Sequence, residues 1–209
     1  MIEEREVTVR VQKVKKNRIR MKLFFFAALT VLLLLATIFA KQLCPYDPYA
    51  QDLAQAMKPP SAAHLMGTDT YGRDMFSRVL IGAQTSISST FALVAIITVF
   101  GTFVGVVCGY YGGRVDALVM RLSDLCLAFP GLVFAMAVAA ILNGGVQNAV
   151  IALALISWPK YSRIARSQTL SMKSLPYMQA AQLAGDSALQ MVLRHVLPNI
   201  VGPILVTSM

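Results

Sequence analysis

The chain has 209 residues, of which 56% are hydrophobic and 14% charged, against about 25% charged in an ordinary soluble domain. The apolar residues fall in long uncharged blocks, which excludes a soluble globular domain and places the chain among integral membrane proteins. Net charge is +9, but Lys and Arg flank the apolar blocks as topology signals do, so nucleic acid is excluded as a partner.

Residues 1–22 hold eight basic and three acidic side chains and read as a basic, solvated cytoplasmic arm. Residues 23–40 carry no charge over eighteen positions, about 27 Å as a helix, and form the first predicted transmembrane helix. The arm keeps the N-terminus in the cytoplasm, so this helix runs outward. The basic region and apolar run are both long and no clean cleavage site follows, so the segment reads as an uncleaved signal anchor.

Residues 41–78 are an extracytoplasmic loop in which four acids balance four bases. It is rich in Pro, Gly and Asp, which predicts turns and short helices. Gly67-Thr68-Asp69 and Gly72-Arg73-Asp74 read as a capped structural loop, with docking of a partner as the sharper alternative. Residues 79–209 form the core domain. Its first part, "VLIGAQTSISST", is semi-polar and reads as an interfacial or packed entry helix, with the second span proper over 86–110. "GYYGGRVD" makes a cytoplasmic turn.

A third span is predicted over 117–142, kinked at Pro130. Asp124 is an acid near a span and thus a candidate gate. Its spacing from Arg121 favours a structural i,i+3 pair at the interface. The fourth span, 146–158, is short and should continue helically past Pro159 towards Arg163. A basic segment at about 160–199 follows, with net charge +4, and is cytoplasmic both by its charge and by the span count. The fifth apolar run begins after Pro198 and is too short to cross, so the chain reads as truncated at its C-terminus.

Inside the basic segment, "YMQAAQLAGDSALQMVLRHVLPN" parses as two short helices. Ser174 is placed to N-cap the first, with Pro176 in its first turn. Gly185 suits a left-handed C-terminal cap. Ser187 and Gln190 make a capping-box pattern, and Pro198 marks the next boundary. The first helix, 175–184, is about 15 Å long and cannot span a bilayer. Small residues with apolar neighbours suit either a helix set into a partner's groove or a connector packed on the chain's own helices.

The cysteines Cys44, Cys108 and Cys126 show no paired spacing. His64 and His195 have no sequence neighbour that suggests a metal site, and no catalytic constellation is present. There is no Gly-Lys dipeptide, so a GxxxxGK[ST] phosphate loop is impossible and any ATP must bind another chain.

Ala180, Ala181, Gly185, Leu197 and Pro198 match the EAA loop of ABC-transporter permease subunits: Glu-Ala-Ala, three residues, Gly, and a Leu-Pro-like close. Gln179 stands at the usual Glu position, which leaves the helix geometry intact but removes a charged contact. "HLMGTDTYGRDMFSRVLIGAQTSI", "GYYGGRVDALVMRLSDLCLAFPGL" and "SWPKYSRIARSQTLSMKSLPYMQAA" resemble the dipeptide/oligopeptide/nickel importer permeases, specifically the second permease type of the pair.

The resemblance implies an all-α polytopic membrane protein with about five of six spans present, the fifth incomplete. It implies a multi-pass subunit in a prokaryotic plasma membrane that is not itself an enzyme. The implied partners are a second permease, two ATPase subunits carrying ATP and Mg, and an extracytoplasmic solute-binding protein. The substrate-binding residues are not identified by the sequence, and no cofactor is expected on this chain. The rival reading is a secondary transporter or channel subunit that needs no ATPase.

Overall fold

The computed structural model describes residues 2–208, with side chains from Arg20 onward; the solvated character expected of the basic arm over 1–19 lies outside the described side chains. Among the described residues the chain is helical, and its one β-type pairing is an isolated bridge between Thr68 and Asp74. Two compact units are present, residues 1–87 and 88–209.

The first unit contains α1 (Ile2–Ile38), α2 (Ala40–Leu43) and the start of α3 (Met75–Tyr111). Residues 20–38 of α1 are long and apolar enough to cross a membrane. Phe24, Phe25, Phe26 and Leu32 on this stretch are exposed, as lipid-facing side chains of a single span would be.

The loop before α3 is fixed by three carboxylates and a histidine. Asp52 accepts from the Ala54 N–H. Asp69 accepts from the N–H groups of Tyr71 and Arg73 and pairs with the Arg73 guanidinium at 2.7 Å. Asp74 caps α3: its carboxylate accepts from both the N–H and the hydroxyl of Ser77, satisfying a helix-start donor. The same carboxylate meets His64 Nδ1 at 3.0 Å in a buried contact. His64, without a sequence neighbour to suggest it, therefore has a structural partner ten residues away. Both Gly-x-Asp stretches form a capped structural loop.

α3 is continuous over 37 residues, so the entry helix expected before residue 86 and the second span are one helix. No Gly or Pro between Val79 and Ile87 other than Gly82 interrupts the ladder, and the semi-polar residues there leave it intact.

In the second unit, α4 (Gly113–Ala128) and α5 (Gly131–Ile141) meet at a bend of 92°. A simple kink was expected at Pro130; the chain breaks instead. Proline disfavours helix at the residue before it, and Phe129 is extended at φ −90°, ψ 146°. Pro130 is extended as well, so two residues leave the helical path.

α6 (Val146–Lys173) runs through Pro159, as expected, and extends to Lys173. It is not among the helices long and apolar enough to cross a membrane. Protein shields it: Ala152, Ile156, Tyr161, Ala165 and Thr169 are among its buried residues. The C-terminal part comprises α7 (Pro176–Leu183), α8 (Ala188–Gln190), a π-helical stretch (Met191–Val196) and α9 (Leu197–Ser208). Residues 188–208 together are long and apolar enough to cross, so the fifth apolar helix begins at Ala188 and not after Pro198. The wide π turn closes with the Leu197 N–H on the Val192 carbonyl. The ladder thus opens where Pro198 has no N–H to give, and the helix continues.

The central packing is a seam of glycines. Gly101, Gly105 and Gly109 recur every four residues and form one stripe of α3. A Cβ at Gly101 would lie 2.6 Å from Tyr161 Cβ, at Gly105 2.3 Å from the Ser162 carbonyl oxygen, and at Gly109 2.8 Å from Thr169 Cβ. Backbone meets backbone along three turns of α3 and α6, the close approach that small residues permit within a membrane. Around it cluster Ile97, Val106, Tyr161, Ala165, Met172, Met178 and Ile200.

Gly105→Ala puts a methyl group against a main-chain oxygen, a misfit that costs about 1–3 kcal/mol. Thermal unfolding in detergent should show clear destabilisation. Gly202→Ala is the contrast, since nothing lies within 4 Å of its added Cβ, and its melting point should hold or rise.

The Asp74 carboxyl is held below the usual carboxylate range. Burial pushes it up, but the Ser77 N–H, the Ser77 hydroxyl and His64 together outweigh burial. A lowered folded value stabilises above the unfolded pKa, and that contribution is lost as pH falls through the folded one. Protease resistance of the 44–78 loop should therefore be level from neutral pH to about pH 4 and decline below it.

Candidate functional site

The polar segment between α6 and α8 is a compact, doubly capped loop. Pro176 occupies the first turn of α7, where its missing N–H costs nothing. The residue at the N-cap is Leu175, without a side-chain bond. Ser174, expected to cap α7, instead ends α6 and donates its hydroxyl to the Ser171 carbonyl. The cause is that α6 extends to Lys173, which leaves Ser174 in helical backbone with its side chain turned to its own preceding turn.

At the other end the Gly185 N–H reaches the Gln182 carbonyl and the Asp186 N–H reaches the Ala181 carbonyl. These are the two bonds of a Schellman cap, with Gly185 at φ +94°. Ser187 and Gln190 then form the full capping box. His195 Nε2 meets Asp186 Oδ2 at 3.0 Å, and its ring lies beside Tyr177. That pair ties the turn after α7 to the π-helical stretch nine residues on.

One side of the loop is anchored. Met178 is 2% exposed and lies in the same core as Met191, Val196 and Ile200. Ala181, Val192 and Leu197 pack against that core half-buried. Lys173 donates to the Tyr110 carbonyl at 2.7 Å and sits over the Tyr110 ring, bringing a cation to the C-terminal end of α3, where the helix dipole favours it.

Two ion pairs brace α6 against α4. Arg166 grips Asp116 through two nitrogens, and Asp116 is 13% exposed, so this bidentate, part-buried pair is the stronger. Arg163 pairs with Asp124. Asp124 is therefore not paired with Arg121 as its spacing suggested: the i,i+3 partner is passed over for an arginine of a facing helix. Both members of the Arg163–Asp124 pair are well exposed, and such pairs contribute about 0–1 kcal/mol.

The other side of the loop is open. Gln179, Ala180, Ala184 and Gly185 are exposed, and Leu183 is 90% exposed. The motif residues thus divide. Gln179, Ala180 and Gly185 face outward, while Ala181 and Leu197 serve the internal packing. Pro198 is exposed within the continuous helical run. The apolar neighbours of the small residues divide likewise, Met178 buried and Leu183 exposed. Among the described residues no group of three or more His, Cys, Asp or Glu side chains is placed to hold a metal.

Sequence reasoning missed the glycine seam, though "GTFVGVVCG" carries its four-residue period in plain view. It also missed the Asp116–Arg166 and Asp186–His195 pairs, which no local spacing signals.

Gly185→Ala forces a side chain into left-handed backbone at about 1–2 kcal/mol, in open space, so the penalty is conformational and local. Hydrogen exchange of the Gly185 and Asp186 amides should quicken roughly five- to thirtyfold, with the α6 amides unchanged.

The profile of the family described as "Binding-protein-dependent transport system inner membrane component" matches residues 101–209, a stretch that takes in the seam, α6 and the capped loop. The "Probable D,D-dipeptide transport system permease protein DdpC" of Escherichia coli (strain K12) is 44% identical over 182 residues, covering 87% of this chain and 61% of that protein. The "Glutathione transport system permease protein GsiD" of Pectobacterium atrosepticum is 40% identical over 182 residues, covering 86% of this chain and 60% of that protein. The chain thus spans about three fifths of the length of these curated relatives. An all-α membrane fold built on a glycine seam, with this profile over more than half its length, belongs to the family of binding-protein-dependent transport system inner membrane components.

Proposed function

We propose that this chain is a transmembrane permease subunit of an ATP-driven ABC importer for short peptides. The observation that carries this reading is the capped loop: a short helix closed at its C-terminal end by a Schellman cap that leads straight into a capping box, with an open face of Gln179, Ala180, Leu183 and Gly185 and a base locked into the core through Met178. Such a handle suits a separate motor protein that grips the open face and moves α6 with it.

The nucleotide and its Mg belong on two partner ATPase subunits, because this sequence has no phosphate loop of its own. A second permease completes the path, and a solute-binding protein delivers cargo from the far side. The basic arm and the positive charges Lys160, Arg163, Arg166 and Lys173 on α6 support a cytoplasmic N-terminus and a cytoplasmic α7. The two relatives are named for a dipeptide and for glutathione, which supports a short peptide as cargo over nickel. When the motors close on ATP, α7 moves as a rigid body and levers α6 against the partner permease.

Cysteine crosslinking tests the grip directly. With Ala180→Cys in the assembled transporter, a crosslink to an ATPase subunit is expected, and it should strengthen or weaken with nucleotide. Ala181→Cys, half-buried, should crosslink poorly. Failure of every exposed position on α7 to capture an ATPase, or ATP-independent peptide uptake, would contradict the coupling role.

A further inference from the structure

A cavity of about 370 Å³ opens where α4 and α5 part, lined by Cys126, Phe129 and Gly131 on the broken side. The facing wall is α6, which contributes Ser157, Lys160 and Tyr161. Those three carry the polar groups of the cavity, and none finds a side-chain partner among the described residues. Lys160 is exposed and makes no ion pair with any described residue, whereas Arg163 and Arg166 on the same helix are both paired. Tyr161 is 6% exposed, and its hydroxyl makes no hydrogen bond with any described residue. The Ser157 hydroxyl is likewise without one.

The exposed Lys160 amine and a free hydroxyl on the 6% exposed Tyr161 together give the cavity donors that a ligand can meet. Broken helices in membrane proteins tend to line ligand sites, since irregular backbone is tolerated there where it borders a cavity. The break at Phe129–Pro130 supplies that irregular backbone, and the N-terminus of α5 adds partial positive charge at Gly131. Positive charge, two hydroxyls and an apolar floor together select a small anion carried on an organic body.

We propose that this cavity is a substrate subsite in which Lys160 holds the terminal carboxylate of a short peptide, with Tyr161 and Ser157 as hydrogen-bond donors. The inference rests on the peptide-importer reading above and assigns a residue to a cargo path that the sequence left without one. Phe129 and Cys126 form the apolar side against which the peptide's body lies.

The test compares uptake of a dipeptide with a free C-terminal carboxylate against its C-terminal amide, in proteoliposomes holding the assembled transporter. The wild type should prefer the free acid. Lys160→Met should lower uptake of the acid roughly tenfold or more, in keeping with a lost charge-assisted hydrogen bond, and lower uptake of the amide far less. Lys160→Arg should keep the preference, and Tyr161→Phe should reduce it without abolishing uptake.

Equal loss of acid and amide in Lys160→Met would assign Lys160 a structural role and overturn the proposal. So would an acid preference that survives in both Lys160→Met and Tyr161→Phe. A wild type that moves neither peptide would instead contradict the importer reading itself, a distinguishable failure that removes the subsite with it.

Discussion

Three missing side chains organise the second unit. Gly101, Gly105 and Gly109 bring the α3 backbone so close to α6 that any Cβ on that stripe would collide. In a bilayer there is little hydrophobic gain from pressing one apolar helix against another, so close packing has to supply the attraction. The seam does this over three turns, and it fixes α6 in height and rotation. Every polar device on α6 then has a defined place: Arg163 and Arg166 on their aspartates, Lys173 at the end of α3, and Ser157, Lys160 and Tyr161 on the cavity wall. The tightness has a cost, since the Ser162 hydroxyl is buried there without a partner.

Stiffness and compliance are distributed unevenly along this unit. From the seam through α6 and into α7 the chain is braced by core packing, two ion pairs, a lysine on a helix end and consecutive caps. At Phe129–Pro130 it is the reverse: two extended residues, both exposed, join two helices at a right angle. Motion imposed on α7 would pass up α6 with little loss and find its freedom at the α4–α5 break, beside the cavity. The site proposed for cargo therefore lies between the stiff member and the hinge, where a small displacement changes the most. The π-helical stretch before Pro198 adds a second irregularity, in the helix that leaves the loop.

Much of this was legible in the sequence. Long uncharged blocks gave the membrane class, and glycine, serine and glutamine at fixed offsets gave both caps around residues 185–190, because capping chemistry is local. That α6 continues through Pro159 towards Arg163 was legible as well, but not that it runs on to Lys173. What the residues did not reveal was tertiary. Asp124 has Arg121 at the ideal spacing and still pairs with Arg163, since local geometry does not report which helix faces which. Pro130 promised a kink and produced a break, because Phe129 before it also left helical backbone. Ser174 was a plausible cap until α6 ran far enough to claim it. The glycine period lay in view but was read as part of an apolar run, where small residues look like weak hydrophobicity and not like an interface.

Rigid linkage between α7 and α6 is the claim on which the mechanical reading stands. Spin labels at the exposed positions Ser167 on α6 and Gln179 on α7 would measure it by pulsed dipolar spectroscopy in the assembled transporter. One narrow distance distribution, the same without nucleotide and with ATP bound, is the predicted result. A distribution that shifts or broadens with ATP would mean that α7 swings independently of α6, and the capped loop would then be a flexible tether and not a lever.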